Sequence, residues 1–255
     1  MSNLSLNSQV KMQNLLQQKI AEYEKKTKNI AIAYGGDGTI LDVVRQTKGD
    51  KAIIPIRNYG ICKKHANYLM SILDGTSEEK LKLTLCPFLE YNFCNGTSKN
   101  RAIAEVVVKN VDPTCALRFN LYVGDKAYMK NVVADGIIMS TAYGSTGYFK
   151  SVARCIFNMD AIGIAFIAPT QGINNIVLDS TSRIKVEFIR SADVIVTADK
   201  FKDKLIVKAN DIIEVERIPE QVSIFGLDEF HCQECRTLRH SIIEDGIVVQ
   251  DQYAV

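Results

Sequence analysis

The sequence contains little proline and carries little net charge. Only 5 of its 255 residues are proline, whereas 47% are hydrophobic. Such a chain can bury enough apolar surface to offset the conformational entropy lost on folding, which excludes global disorder. The 31 basic and 29 acidic residues leave a net charge of only +2, and no basic block with interleaved aromatics occurs. We therefore expect a folded protein with no nucleic-acid partner, which binds small molecules or further copies of itself.

Long apolar runs and a targeting segment are also missing. A membrane span needs roughly 18 apolar residues in a row, and the longest candidate, residues 161–169, is far shorter. Residues 1–18 lack the basic start and the apolar core of a secretory signal. The seven cysteines are an odd number and lie scattered along the chain, which favours reduced thiols over a disulfide framework. We expect a soluble, cytoplasmic protein with no membrane partner.

The first part of the chain alternates helix and strand patterns. Residues 4–28 have the spacing of an amphipathic helix, and residues 29–34 form an apolar run of strand length. A helical pattern resumes at 40–45, and residues 52–56 form another short apolar run. This alternation is typical of a parallel sheet flanked by helices, and it predicts a small α/β domain over residues 1–80.

The later part of the chain is rich in strand-like runs separated by turn signals. These runs lie at residues 83–89, 102–109, 118–123, 127–133, 136–140, 162–168, 183–188, 193–197, 204–208 and 212–217. They predict a β-sandwich-like domain over residues 81–220. Residues 221–255 are expected to return to the first domain, with 222–229 as one more candidate strand.

The most informative motif is Gly35-Gly36-Asp37-Gly38-Thr39, between a predicted buried strand and a predicted helix. Glycines allow backbone N–H groups to surround phosphate oxygens at the end of a strand, and a helix N-terminus adds positive potential. A carboxylate beside those phosphates can coordinate Mg²⁺ or accept a proton from an attacking hydroxyl. The alternative is a glycine-rich turn with a capping aspartate.

A second motif spans residues 135–151 and reads DGIIMSTAYGSTGYFKS. Its small residues allow close approach of the backbone to a ligand, its hydroxyls can bind phosphate or sugar oxygens, and Tyr148 can stack on a ribose or a base. A polar turn that caps a helix over residues 150–158 is the other interpretation.

Together the two motifs resemble those of the NAD kinase family, in which GGDGT is followed by DG-x-x-x-ST-x-x-GST-x-Y. The likeness covers residues 30–215 and includes the stretch 165–178. The resemblance implies a two-domain fold and ATP-dependent, Mg²⁺-assisted phosphorylation of the adenosine 2′-hydroxyl of NAD, which gives NADP. It also implies a homodimer or homotetramer.

The resemblance also implies roles for single residues. Asp37 matches the aspartate that activates the 2′-hydroxyl, and no protein ligand for a metal is implied. The residues that match positions for binding the phosphates or the dinucleotide are Gly35, Gly36, Gly38, Thr39, Asn58, Gly60, Glu105, Asp135, Thr146, Gly147, Tyr148, Ser151 and Asp199.

Several positions depart from the family pattern. Ala104 replaces an asparagine that precedes Glu105, so an amide that could bind the dinucleotide is lost. Tyr143 and Lys200 stand where smaller residues are usual, Gly147 stands where alanine is usual, and residues 61–64 replace an apolar element. The dinucleotide site is altered and the phosphate loop is kept. This pattern favours a divergent kinase, and it also fits a dinucleotide-binding relative without activity or with altered specificity.

Cys232 and Cys235 form a Cys-x-x-Cys pair, and His240 follows five residues later. This is half of the spacing of a zinc site, and no second pair of cysteines is close in sequence. Reduced or buried thiols are the alternative. His65 lies beside two lysines, and we expect it on the surface.

Overall fold

The computed structural model describes residues 6–58, 60–75, 81–93 and 99–237. Its helices are α1 (Leu6–Lys26), α2 (Asp37–Thr47), α3 (Lys63–Leu73), α4 (Tyr148–Ala153) and α5 (Leu227–Phe230), with a 3₁₀ turn at Gly144–Thr146. Its strands are β1 (Ile30–Tyr34), β2 (Ala52–Ile56), β3 (Leu83–Phe93), β4 (Lys99–Ala102), β5 (Glu105–Asn110), β6 (Leu117–Val123), β7 (Lys126–Ala134), β8 (Gly136–Ser140), β9 (Ala161–Ile167), β10 (Ile176–Asp179), β11 (Ile184–Phe188), β12 (Ala192–Ala198), β13 (Phe201–Val207) and β14 (Ile212–Phe225).

The described residues form two compact units. The first unit takes the chain up to Leu85 and again from Val222 onward, and the second unit is Cys86–Gln221. Among the described helices, none is both long enough and apolar enough to cross a membrane.

The first unit is built on a short parallel sheet. Strands β1 and β2 pair in parallel, with Tyr34 opposite Ile56, and Ile224 of β14 pairs in parallel with Ile53 of β2. The apolar runs of these strands lie in a core with one face of α1 and α3, as expected for a parallel sheet covered by helices. Because the two strands are parallel, the ends of β1 and β2 lie at the same edge of the sheet.

The second unit contains two antiparallel sheets. One has the order β10-β9-β8-β5-β12-β13, and the other includes the neighbouring strands β14, β11, β6 and β7. Alternate residues of β11, namely Ile184, Val186 and Phe188, are buried in a core to which both sheets contribute. Together with the first unit, this arrangement confirms the predicted fold class, a parallel α/β part followed by a β-sandwich.

Three predicted elements differ from those observed. The run 102–109 is not one strand, because it is interrupted between β4 and β5 where backbone N–H groups bond to the Asp199 carboxylate. The helix expected over 150–158 ends at Ala153, because Arg154 adopts a left-handed conformation with φ 60°. The runs 212–217 and 222–229 were expected to be separate, but β14 is continuous to Phe225, where Gly226 at φ 79° ends it.

Candidate active site

The glycine loop lies at the end of β1, as the sequence predicts. The Gly35 N–H donates to the Ile56 carbonyl at 2.8 Å, which joins the loop to the end of β2. A Cβ atom on Gly35 would lie 2.2 Å from Thr39 Oγ1, so a side chain here would collide with the first turn of α2. Gly36 is the N-cap of α2 and Asp37 is its first residue. The Asp37 carboxylate therefore lies at a helix N-terminus, where its negative charge is favoured.

Asp37 is paired with two basic side chains. Arg57 Nη2 lies 3.1 Å from one carboxylate oxygen, and His231 Nε2 lies 3.2 Å from the other. The hydrogen bond from His231 and the charge of Arg57 outweigh partial burial and lower the pKa of Asp37 to about 2. Asp37 is therefore ionised throughout the neutral pH range.

Arg57 is a buried cation at the glycine loop. Its guanidinium lies over the Phe230 ring, 3.6 Å from the ring centroid, in the geometry of a cation–π contact. A Cβ atom on Gly36 would lie 3.7 Å from Arg57 Nη1, which places the guanidinium beside the loop as well as beside Asp37. This position allows Arg57 to bind an anion held by the loop.

Sequence reasoning missed both partners of Asp37. Arg57 had a local signal, since it directly follows the buried strand β2 at the edge where parallel sheets bind ligands. His231 had none, because 194 positions separate it from Asp37. Asn58 follows Arg57 at the same edge of the sheet. The predicted residues at this edge are Gly35, Gly36, Asp37, Gly38, Thr39 and Asn58.

The second unit holds a pair of acidic residues, Glu105 and Asp199. The Asp199 carboxylate accepts hydrogen bonds from the backbone N–H groups of Ile103, Ala104 and Glu105, at 2.8, 2.9 and 3.1 Å. Burial nevertheless raises the pKa of Asp199 to about 6. Burial, with a smaller contribution from the charge of Asp199, raises the pKa of Glu105 to about 7.

These acidic residues line a pocket of about 320 Å³. The side chains around it are Glu105, Val107, Lys109, Tyr148, Ile195, Thr197 and Asp199. Three predicted site residues, Glu105, Tyr148 and Asp199, thus come together from distant parts of the sequence. Glu105 Oε2 is buried, and it has no hydrogen-bond partner among the residues that the structure describes. A ligand with a hydroxyl or amine group could supply that partner.

The other predicted residues of the second motif fall into two places. A Cβ atom on Gly147 would lie 3.9 Å from Glu105 Oε2, so Gly147 is beside the pocket. Thr146 and Ser151 are exposed on either side of Tyr148, and each hydroxyl donates to a nearby backbone carbonyl. Asp135 lies apart from them. It precedes Gly136 at one end of β8, whereas the residue that pairs with Glu105 is Ser140 at the other end.

The structure shows the surroundings of two positions that depart from the family pattern, Ala104 and Lys200. Ala104 is 5% exposed and does not line the pocket, and its N–H group is bonded to Asp199. Lys200 follows Asp199 in the turn between β12 and β13, and Asp199 itself takes the left-handed conformation, with φ 51°. The turn therefore does not need glycine at position 200.

The cysteine pair near the end of the described chain has a third member. The sulfur atoms of Cys62, Cys232 and Cys235 all lie within 4.8 Å of one another. His65 was expected on the surface, and this is wrong: it is 5% exposed, because α3 carries it into the core of the first unit beside Cys235. His240 lies outside the described residues.

Comparison with known proteins bears on the class of this protein. The sequence profile of the ATP-NAD kinase C-terminal domain matches residues 103–226. The chain is 31% identical over 194 residues to the bifunctional NADP phosphatase/NAD kinase of Methanocaldococcus jannaschii, covering 71% of this chain and 33% of that protein. It is 27% identical over 215 residues to the NAD kinase of Clostridium perfringens, covering 78% of this chain and 75% of that protein. The chain thus spans a third of the first relative.

Two solved structures share the fold. The yeast NADH kinase complexed with NADH has a TM-score of 0.65 at 16% identity, covering 85% of this chain and 66% of that chain. The Archaeoglobus fulgidus NAD kinase in complex with ATP has a TM-score of 0.65 at 18% identity, covering 87% of this chain and 94% of that chain. The sequence relatives place the chain in a family of kinase phosphotransferases, and the solved structures share its fold. The chain belongs to the NAD kinase family.

Proposed function

We propose that this protein is an NAD kinase, which transfers a phosphoryl group from ATP or another donor to the adenosine 2′-hydroxyl of NAD and so forms NADP. The observation that carries this proposal is the ionised Asp37 carboxylate at the glycine loop, between Arg57 and His231. The names of the sequence relatives support the same activity.

The loop is suited to bind the phosphates of a nucleotide. Gly36 is free of a side chain at the N-terminus of α2, where backbone N–H groups and the helix dipole favour an anion. Arg57 adds a buried positive charge on the same side. In the proposed mechanism a phosphate binds to these groups and shares Arg57 with Asp37.

Asp37 is proposed to accept the proton of the attacking hydroxyl. A carboxylate with a pKa of about 2 is a weak base while Arg57 and His231 hold it. A phosphate that draws Arg57 away would raise that pKa and free one carboxylate oxygen for the hydroxyl. His231 would keep the carboxylate in position through its bond to the other oxygen.

Magnesium is expected to arrive with the nucleotide. Each oxygen of Asp37 already faces a basic group, so the carboxylate alone is a poor cage for a cation. When bound to the donor phosphates, Mg²⁺ neutralises charge that develops during phosphoryl transfer. In this proposal the residues of the chain position the hydroxyl and the loop.

The pocket of the second unit is proposed to bind part of the dinucleotide. Glu105 Oε2 lacks a partner among the described residues and could accept a hydrogen bond from a hydroxyl or amine group. Tyr148 offers an aromatic face at the rim, 37% exposed. Thr146, Gly147 and Ser151 flank it, whereas Asp135 and Asn58 would have to contact other parts of the ligand.

Altered specificity is the second candidate. Ala104 is buried, and its backbone is held by Asp199, so no side-chain amide is offered at this position. A dinucleotide-binding protein with altered or no catalysis would keep the pocket and lose turnover.

The test is the formation of NADP from NAD, ATP and Mg²⁺ by the purified full chain, with NADH and polyphosphate as the alternative acceptor and donor. Asp37→Asn is the matched variant, because the amide has the same shape but takes up no proton. We expect it to bind both nucleotides and to lose about 10²- to 10⁴-fold in turnover. Tight dinucleotide binding without NADP formation would instead support the second candidate.

We also propose a cytoplasmic location. Cys115 and Cys155 are exposed free thiols, and exposed free thiols persist in a reducing compartment.

A further inference from the structure

Three cysteine sulfurs from distant segments meet in the first unit. Cys62 is the N-cap of α3, and Cys232 and Cys235 lie 170 or more positions later, around a helical turn at residues 233–237. The three sulfurs lie within 4.8 Å of one another, and each of these cysteines is a free thiol. With Zn–S bonds of about 2.3 Å in a tetrahedron, ligand sulfurs stand roughly 3.8 Å apart. The cluster is therefore close to the size that one zinc ion requires.

Backbone N–H groups point at two of the three sulfurs. The backbone N–H group of Cys62 donates to Cys235 Sγ at 3.2 Å, and the backbone N–H group of His65 donates to Cys62 Sγ at 3.4 Å. Cys62 also stands at the N-terminus of α3, an 11-residue helix, where negative charge is favoured. Metal-bound thiolates are commonly oriented by such N–H groups.

A histidine stands beside one of the three sulfurs. His65 is buried, and its Nδ1 atom lies 3.4 Å from Cys235 Sγ. The contact is with this one sulfur, and the group of possible ligand atoms within 4.8 Å of one another does not include His65, so His65 orients Cys235 and is not itself a ligand.

We propose that Cys62, Cys232 and Cys235 bind one zinc ion, with a solvent molecule as the fourth ligand. Zn²⁺ replaces the protons of the three thiols, which pass to solvent, and no oxidant or reductant takes part. This site goes beyond the proposed kinase activity and does not depend on it.

The site would fix the segment that carries His231. Cys232 is the next residue along the chain, and His231 Nε2 contacts Asp37 Oδ1. A metal at the cluster would join this segment to α3 independently of the core. Loss of the metal is then expected to loosen the contact between His231 and Asp37 as well.

The test measures metal in the full-length protein. We expect protein purified without chelator to contain one zinc ion per chain by mass spectrometry of the elements. Replacement by Co²⁺ should give the intense sulfur-to-cobalt absorption and the ligand-field bands of tetrahedral thiolate coordination. Cys232→Ser and Cys235→Ser should lose both signals. Cys155→Ser is the matched control at an exposed cysteine, and it should bind like the wild type.

Other outcomes would overturn the proposal. One is a metal-free wild type that gives no thiolate bands on titration with Co²⁺. Another is the survival of these bands in Cys235→Ser. The third is an intact mass that is two hydrogens lower under non-reducing conditions, which would show a disulfide. The cobalt titration of the wild type decides the question even if a serine variant does not fold.

Discussion

At the scale of single residues, Arg57 contacts both Asp37 and the glycine loop. It neutralises Asp37 at 3.1 Å, and its Nη1 atom lies beside Gly36 of the loop. A bound phosphate would have to share this one guanidinium with the carboxylate. The strength of nucleotide binding and the basicity of Asp37 are therefore expected to depend on the same side chain.

This dependence predicts the behaviour of Arg57→Gln. Loss of a hydrogen bond from a charged donor costs about 1.5–3 kcal/mol, so we expect the KM for ATP to rise roughly 10- to 100-fold. The pKa of Asp37 should rise towards its ordinary value, which nuclear magnetic resonance of the carboxyl carbon can follow. Arg45→Gln is the control, because Arg45 is exposed on α2 and pairs with Asp42. Equal loss in both variants would show that general charge, and not Arg57, matters.

Glu105 predicts a pH dependence of stability. Its pKa is about 7 in the folded protein against 4.5 for an ordinary glutamate, so the folded state binds more protons between these values. Stability from this group is therefore present below pH 4.5 and is lost as the pH rises through 7. Glu105→Gln lacks the ionisation. We expect its free energy of unfolding, relative to the wild type, to rise by on the order of 3 kcal/mol from pH 4.5 to 8, as measured by urea unfolding. A difference that does not change with pH would contradict the shifted pKa.

At the scale of elements, the 3₁₀ turn before α4 packs directly on the backbone at the entry of β5. A Cβ atom on Gly144 would lie 2.1 Å from the Ala104 carbonyl oxygen and 2.4 Å from its carbon. These are backbone atoms that hydrogen bonds from Thr141 and to Asp199 hold in place. The turn and the strand can approach this closely only because residue 144 is glycine.

Gly144→Ala is therefore expected to be destabilising. Overpacking of this kind costs about 1–3 kcal/mol, which should appear as a lower midpoint of urea unfolding. Gly172→Ala is the matched control in the same unit, since no atom lies within 4 Å of the added carbon. We expect that variant to unfold close to the wild type. If the two variants unfold alike, the close approach at Gly144 does not limit stability.

Local elements could be predicted from the sequence, and contacts between distant segments could not. The strand β1, the glycine loop and the start of α2 are contiguous, so the apolar run and the glycines were enough to place Asp37. The break before β5 depends on Asp199, more than 90 positions away. His231 and Cys62 are separated from their partners by even more positions in the sequence. The sequence therefore indicated Asp37 and a Cys-x-x-Cys pair but not the groups beside them.

At the scale of the whole molecule, the second unit predicts self-association. Its six-stranded sheet ends in β10 and β13, and exposed apolar side chains lie on both strands, Val177 at 45% and Ile206 at 76%. Sheet edges with apolar side chains are commonly covered by another chain. We expect a homodimer or homotetramer.

Light scattering at micromolar concentration tests this expectation. Ile206→Lys should lower the mass if β13 forms the contact, and Val177→Lys is the matched variant on β10. Dilution should lower specific activity together with mass. A monomer with full activity would contradict the expectation.

The first unit is discontinuous, and this has a consequence for the order of synthesis. Its early part carries the glycine loop, whereas its last strand residues and His231 come only after the whole second unit. At about 5–20 residues per second, the 194 positions between Asp37 and His231 take roughly 10–40 s to translate. During that time Asp37 lacks the hydrogen bond that contributes most to its low pKa. A chain released early therefore carries the glycine loop without the histidine that holds the Asp37 carboxylate.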